Sequence, residues 1–253
     1  MSSKVASYTP RTGPLAKVAR RLVQYRTAAP IKADFHRPVV SFTFDDFPAT
    51  AATAGAEVLE RHGARGTFYA ATGLLGRDTV SGRVVTAEEI AELADRGHEI
   101  GAHSHGHADA ARAGLDALEA DLATNLETLK PCVGERPIRS YAYPYGETQM
   151  GLKRQLASRF ETSRGILSGI NRKGSDRMQL RAVELSPEAW RLEKARKLLD
   201  AVAQRPGWVV FFTHDVSDTP SAYGITPATL DALVSEVTRR GIEIRPVGEV
   251  AVR

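Results

Sequence analysis

The sequence predicts one α/β domain built as a distorted or incomplete (β/α) barrel, and three observations predict it. First, 253 residues at 42% hydrophobic and 25% charged content can bury a sizeable single core. Second, after Pro38 short β-branched or aromatic runs alternate with helical stretches, the pattern of βαβ units and a parallel sheet. Third, the polar groups that interrupt this pattern follow the runs: Asp45-Asp46, His103 to His107, Pro144-Tyr145-Gly146 and His214-Asp215. Strand ends and the loops after them are where such barrels carry chemistry.

Taken in order, Val39 to Phe44 reads as the first strand, and a helix follows to about His62, stopped by Gly63. Gly66 to Ala70 is the second strand. Thr86 with Glu89 three residues on forms a capping box for a helix whose apolar face is Ile90 and Leu93, ending at Gly97. A short strand from His98 to Ala102 leads into the histidines. Leu115, Leu118, Leu122, Leu126 and Leu129 line one face of the next helix, which Pro131 is expected to terminate. Ile138 to Tyr143 is a strand. Ser186-Pro187 reads as N-cap plus proline at N1 for a helix to about Gln204, and Trp208 to Phe212 as an apolar strand. Thr226-Pro227 repeats the device before Leu230, Leu233 and Val237, and Ile242 to Ile244 is the last strand.

Charge divides the chain at residue 37. Residues 1–37 hold eight Lys or Arg against Asp34 alone, a balance of +7, which leaves −3 for residues 38–253. Within that basic segment Leu15, Val18, Leu22 and Tyr25 recur at helical spacing beside Lys17, Arg20, Arg21 and Arg26. Such a helix can cap the domain, form a homodimer contact, or dock on an anionic lipid, membrane-bound partner or acidic glycan. Nucleic acid is not expected as a partner, because no aromatic-studded basic surface accompanies the charge. No apolar run approaches the roughly 20 residues of a membrane span, and the N-terminal stretch has no apolar core of a secretory signal, so a cytoplasmic protein is expected. Cys132 is the only cysteine, which leaves histidine and carboxylate as metal ligands.

Two adjacent aspartates after an apolar strand repel one another and resist burial, a conflict a divalent cation resolves. Asp46 could then bind metal while Asp45 acts as general base toward a water. His103, His105 and His107 place three imidazoles in five residues. A helical run would put His103 and His107 on one face with His105 elsewhere, and an extended run would put all three on one face. His214, ending a strand too apolar to need a polar terminus, suits a general acid near neutrality. The turn at Tyr145 could turn a backbone N–H toward a developing oxyanion. Ala102 to Gly106 is a near miss to a serine-nucleophile elbow, which the flanking histidines fit badly.

Thr43-Phe44-Asp45-Asp46, His103-Ser104-x-x-His107, Tyr143-Pro144-Tyr145-Gly146 and Phe212-Thr213-His214 together resemble, in order, the motifs of the polysaccharide deacetylases, the NodB-like domains of carbohydrate esterase family 4. The resemblance covers about Val39 to Val250, so residues 38–253 are expected to be the NodB-like domain. It implies a distorted barrel and hydrolysis of acetyl groups from N-acetylated, GlcNAc-type sugars of a polysaccharide or its lipid-linked precursor. By position it implies Asp45 as base, Asp46, His103 and His107 as ligands of zinc or another divalent ion such as cobalt or manganese, Tyr145 at the oxyanion and His214 as acid. Many members have an arginine beside the base, three residues before the motif tyrosine; here that place is Ala142, and Arg181 is the expected replacement, with Arg139 facing away on its strand. A member without leader or anchor is similar to the deacetylases of bacterial adhesin (holdfast) synthesis, for which a membrane-surface substrate would suit the basic helix. An allantoinase-like amide or ureide hydrolase of the same fold, or a non-catalytic glycan-binding relative, are the competing readings.

Overall fold

The structure, a computed structural model, describes residues 14–252. Lys4 and Arg11, with the side chains of Leu15 and Lys17, lie outside the described residues. Among the described residues ten strands form: β1 Val39–Asp45, β2 Thr67–Ala70, β3 Asp78–Thr79, β4 Gly82–Arg83, β5 Glu99–Ala102, β6 Ser140–Ala142, β7 Thr162–Arg164, β8 Val183–Glu184, β9 Trp208–Thr213 and β10 Glu243–Ile244. The α-helices among the described residues are α1 Pro14–Tyr25, α2 Ala56–Arg61, α3 Ala87–Asp95, α4 Leu115–Val133, α5 Met150–Ala157, α6 Ala189–Gln204 and α7 Pro227–Arg239.

The main sheet runs β7-β6-β5-β2-β1-β9-β8, with β10 also on β1, and every pairing in it is parallel. β1 and β9 are buried along their whole length, which is why both read as continuous apolar runs rather than alternating ones. The segment before β8 stitches the two ends of the sheet: Leu180 N donates to Ser163 O, Gly165 N to Leu180 O and Ala182 N to Leu167 O. The predicted distorted barrel is the fold observed.

Strand alternation sorts the side chains. Val40, Phe42 and Phe44 of β1 and Val209 and Phe211 of β9 pack in the core that includes the apolar faces of the helices, with Phe44 stacked on Phe68 at 4.5 Å. Val39, Trp208, Val210 and Phe212 belong to a separate inner cluster with Leu180 and Ala182. Ser41, Thr43 and Asp45 share the parity of Val39, and His214 that of Phe212, so base and acid candidates both continue the inward register at the strands' C-terminal ends.

The capping predictions hold at two helices. Thr86 accepts from Glu89 N while the Glu89 side chain accepts from Thr86 N, and Thr226 accepts from Thr229 N ahead of Pro227. Elsewhere boundaries move. Helix α4 runs past Pro131 to Val133, because a proline one turn from the end interrupts little of the ladder that remains. Helix α6 starts at Ala189 rather than after Ser186, whose hydroxyl donates to Glu188 instead. A π-helical turn, Ala51–Gly55, precedes α2. The β3–β4 hairpin, α5, β7 and β8 have no counterpart in the predicted element order, since each is short and mixed in polarity.

Helix α1 is fastened to the barrel by a buried lysine. Lys153 Nζ on α5 donates to Val23 O in the last turn of α1 at 2.8 Å, to Arg26 O just past its end at 3.0 Å, and to Asp176 Oδ2 at 3.1 Å. Asp176 in turn accepts from Ala28 N and Ala29 N. A cation at a helix C-terminus satisfies orphan carbonyls and complements the dipole.

Candidate active site

Asp46, His103 and His107 come together as the sequence suggested. Their ligand atoms all lie within 4.8 Å of one another. His103 Nε2 is 3.7 Å from Asp46 Oδ1 and His107 Nε2 is 3.4 Å from Oδ2. His103 continues the inward parity of Glu99 and Gly101 on β5, and its Nδ1 meets Ala142 O at 2.8 Å. A donor hydrogen bond from Nδ1 to a carbonyl fixes the tautomer that leaves Nε2 as a lone pair for metal.

The histidine run is neither helical nor extended. It is a loop in which Ser104 and His107 adopt left-handed backbone, φ 63° and 52°. The loop is pinned from α4: Asp121 accepts from His105 N at 2.8 Å and Gly106 N at 2.7 Å, and Asn125 Nδ2 donates to Ala70 O, Thr72 Oγ1 and Ser104 O. Gly73 N donates to His105 O, an approach that a Cβ at Gly73, 2.6 Å from that oxygen, would prevent. His105 turns to Thr72, 2.9 Å from Nδ1, so the three-histidine alternative does not form. Ser104 Oγ accepts from Ala108 N, a bond within the loop.

Among the described residues four non-glycine positions have positive φ: Asp46 at 50°, Ser104, His107 and Tyr145 at 58°. All four lie in this site. Backbone strain of this kind persists where surrounding structure over-determines it, and it concentrates at functional sites.

The two aspartates are driven apart electrostatically. Burial would raise the Asp45 carboxyl, but Arg164, with His103 and His214, outweighs it and holds Asp45 below the ordinary aspartate range. Burial raises Asp46, with Asp45 adding to the effect and His103 and His214 opposing it. Buried Asp46 Oδ1 makes no hydrogen bond. Burial also pushes His103 and His107 down to about 4 against the pull of the carboxylates, which keeps both imidazoles neutral. Neutral imidazoles and a half-buried carboxyl with an orphaned oxygen suit a divalent cation, whose charge would relieve the cost of ionising Asp46.

Arg164, not Arg181, partners Asp45. Arg164 Nη2 donates to both carboxylate oxygens, and the guanidinium lies 5.4 Å from the Tyr69 ring centroid and 4.7 Å from that of Phe212. Arg164 is fully buried at the end of β7, in register with Ala142 of β6. Arg181 is excluded by alternation: Leu180 and Ala182 are the buried neighbours, and Arg181 turns out to Ser168 O and the Tyr25 ring. Arg139 is exposed at the opposite end of the barrel, lining a cavity with Glu99 and Arg245. The signal overlooked was an arginine set directly before the apolar Gly165-Ile166-Leu167, where a solvated charge is out of place.

The Tyr145 ring stands edge-on to His107 at 4.4 Å in the Pro144–Gly146 turn. His214 follows β9, its N donating to Tyr223 O and its buried Nδ1 making no hydrogen bond. Glu184 of β8 shares its field: burial raises that carboxyl, while Arg191 and His214 lower it.

The sequence profile of the family described as polysaccharide deacetylase matches residues 32–161. The chain belongs to the polysaccharide deacetylase family. It is 24% identical over 213 residues, 83% of its length, to a chitin deacetylase of Arthroderma benhamiae, and spans about half (51%) of that relative. Its fold resembles that of a Bacillus subtilis peptidoglycan deacetylase, with a TM-score of 0.54 at 20% identity, covering 86% of this chain and 91% of that one. It also resembles a Bacillus anthracis protein described as a CE4-family pseudoenzyme, with a TM-score of 0.57 at 15% identity, covering 90% and 69%.

Proposed function

We propose that this polysaccharide deacetylase family member is an active, metal-dependent N-deacetylase of GlcNAc-type glycans. Because a pseudoenzyme shares the fold, the family alone does not carry the reading. The observation that carries it is the opposed pair: Asp45 held ionised by Arg164 beside Asp46, whose raised carboxyl and orphaned oxygen face two neutral imidazoles. Neighbouring carboxyls pushed in opposite directions suit different roles, Asp45 as an ionised base and Asp46 as a carboxyl that a cation would help to ionise.

Asp46, His103 and His107 would hold the cation, most suitably zinc on this O,N,N donor set. When bound, a divalent ion supplies water acidification and carbonyl polarisation. Asp45, ionised and anchored by Arg164, receives the proton of the attacking water. The Tyr145 turn faces the oxygen on which charge develops, and His214 donates a proton to the departing amine. Trp190 and Ile166, both exposed, border a cavity of about 100 Å³ with Glu184 and Phe212, a shelf against which a pyranose face can stack.

The test is acetate release from chitooligosaccharides by metal-loaded wild type, Asp45→Ala and His107→Ala. The reading expects turnover in wild type alone; full turnover in both variants, or none in metal-replete wild type, sinks it.

A further inference from the structure

Helix α1 is amphipathic the wrong way round for a helix that caps a domain. Its inner side is polar: Gln24 is buried and approaches Gly146 O at 3.5 Å, and Arg20 pairs with buried Glu147 at 2.7 Å. Its outer side is apolar. Val18, Leu22 and Tyr25, spaced four and three residues apart and therefore on one face, are 56%, 67% and 58% exposed. Arg21 and Arg26, both exposed, fall on either side of that stripe at 100° per residue, and Arg181 lies over the Tyr25 ring at 5.6 Å.

Burial of the polar side against the barrel leaves Val18, Leu22 and Tyr25 each more than half exposed, with the Arg181 guanidinium over the Tyr25 ring at the stripe's edge. A stripe of Val, Leu and Tyr edged by arginine is the composition of a helix that lies in a bilayer interface, apolar side down and cations at the phosphates. A second copy of the chain docked on this stripe would bring the exposed Arg21 and Arg26 of two helices together, and like charge opposes it. An anionic surface is what complements both the charge and the stripe.

We propose that the outer face of α1 docks the protein on an anionic membrane surface, with the catalytic mouth held beside the headgroups. The attachment is rigid where it matters. Gln24 and Arg20 grip Gly146 and Glu147, the residues next to Tyr145, while Lys153 ties the carbonyls of Val23 and Arg26 to α5. A docked α1 therefore fixes the Tyr145 side of the mouth relative to the bilayer. If the deacetylase reading above holds, on which this step rests, the substrate class is an N-acetylated glycan still attached to a lipid.

The test reads docking without turnover, so it stands or falls apart from the deacetylase reading. Full chain is sedimented with vesicles of phosphatidylcholine containing one third phosphatidylglycerol, and with phosphatidylcholine alone, at low and high salt. Binding is expected only to the anionic vesicles and to weaken as salt screens it. The double variant Val18→Ser/Leu22→Ser should bind at least tenfold more weakly, and Arg21→Glu more than about fivefold, the equivalent of one lost cation near such a surface. Thermal unfolding at the wild-type midpoint shows that each variant is folded. Absent binding, equal binding to both vesicle types, or a soluble dimer that Val18→Ser/Leu22→Ser dissociates would overturn the proposal.

Discussion

Arg164→Ala removes the cation that keeps Asp45 ionised inside the barrel, and its consequences follow from the geometry. The guanidinium is fully buried and donates to both oxygens of a carboxylate that is itself 5% exposed. Deleting one partner of such a pair leaves an uncompensated buried charge and costs about 3–5 kcal/mol. For a domain of this size that lowers the unfolding midpoint by roughly 6–20 °C. Without Arg164 the largest influence opposing the desolvation of Asp45 is gone and only His103 and His214 remain, so its pKa rises and the acid limb of kcat/KM against pH moves to higher pH. Loss of a positioned base predicts a fall in kcat/KM near neutrality of roughly 10²–10⁴-fold. Arg181→Ala, at a residue that touches Ser168 and Tyr25, should stay within about twofold of wild type, the range of ordinary surface substitutions. Because Ala142 and Arg164 are in register on adjacent strands, the swap Ala142→Arg/Arg164→Ala should return the acid limb toward the wild-type position. The assay is acetate release across pH on protein shown by circular dichroism to be folded. An unshifted acid limb in folded Arg164→Ala, or a shifted one in Arg181→Ala, would refute the assignment.

Other consequences are open to measurement. Zinc at a hundredfold excess over its Kd should stabilise wild type by about 2.7 kcal/mol, read as a rise in unfolding midpoint, and His107→Ala should lose most of that rise. Asn125→Leu strips the donor from Ala70 O and Ser104 O beneath the histidine loop, and metal affinity measured by competition with a chelator should fall roughly 10–100-fold. His98, fully buried with Nδ1 accepting from Gly66 N, is pushed by burial down to about 4 although Glu60 pulls the other way. Its folded pKa lies below the unfolded value of 6.5, so between those limits the unfolded chain holds the extra proton and stability falls as pH falls. The contribution is at most about 3 kcal/mol; in urea unfolding at several pH values His98→Asn should be less stable at neutrality yet show a shallower loss from pH 6.5 to 4.

What could be read from sequence divides along physical lines. Buried parallel strands such as Trp208–Thr213 announce themselves as apolar runs, and Thr86 and Thr226 mark helix starts through caps that are local in the chain. The Asp46, His103 and His107 cluster was legible because ligand chemistry restricts residue types and the motifs keep their order. The loop conformation was not, since it depends on Asp121 and Asn125 reaching over from α4, contacts with no local signature. Nor was the orientation of α1: periodicity establishes that Val18, Leu22 and Tyr25 share a face, but only Gln24, Arg20 and Lys153 decide which face turns inward.

Arg164 was hidden for a related reason, and it shows what a barrel allows. In a nearly closed sheet every strand points alternate side chains at the same axis, so a group needed at the mouth is specified by height along the barrel rather than by the strand that supplies it. Ala142 on β6 and Arg164 on β7 stand at one height. A small side chain on the first leaves room for a long one from the second, which passes between Tyr69 of β2 and Phe212 of β9 to reach Asp45 of β1. The aromatic faces help offset the desolvation of the guanidinium, and its charge offsets that of the carboxylate. A missing motif residue in this family is therefore weak grounds for expecting a missing function: the inward positions at the same height on neighbouring strands have to be considered with it.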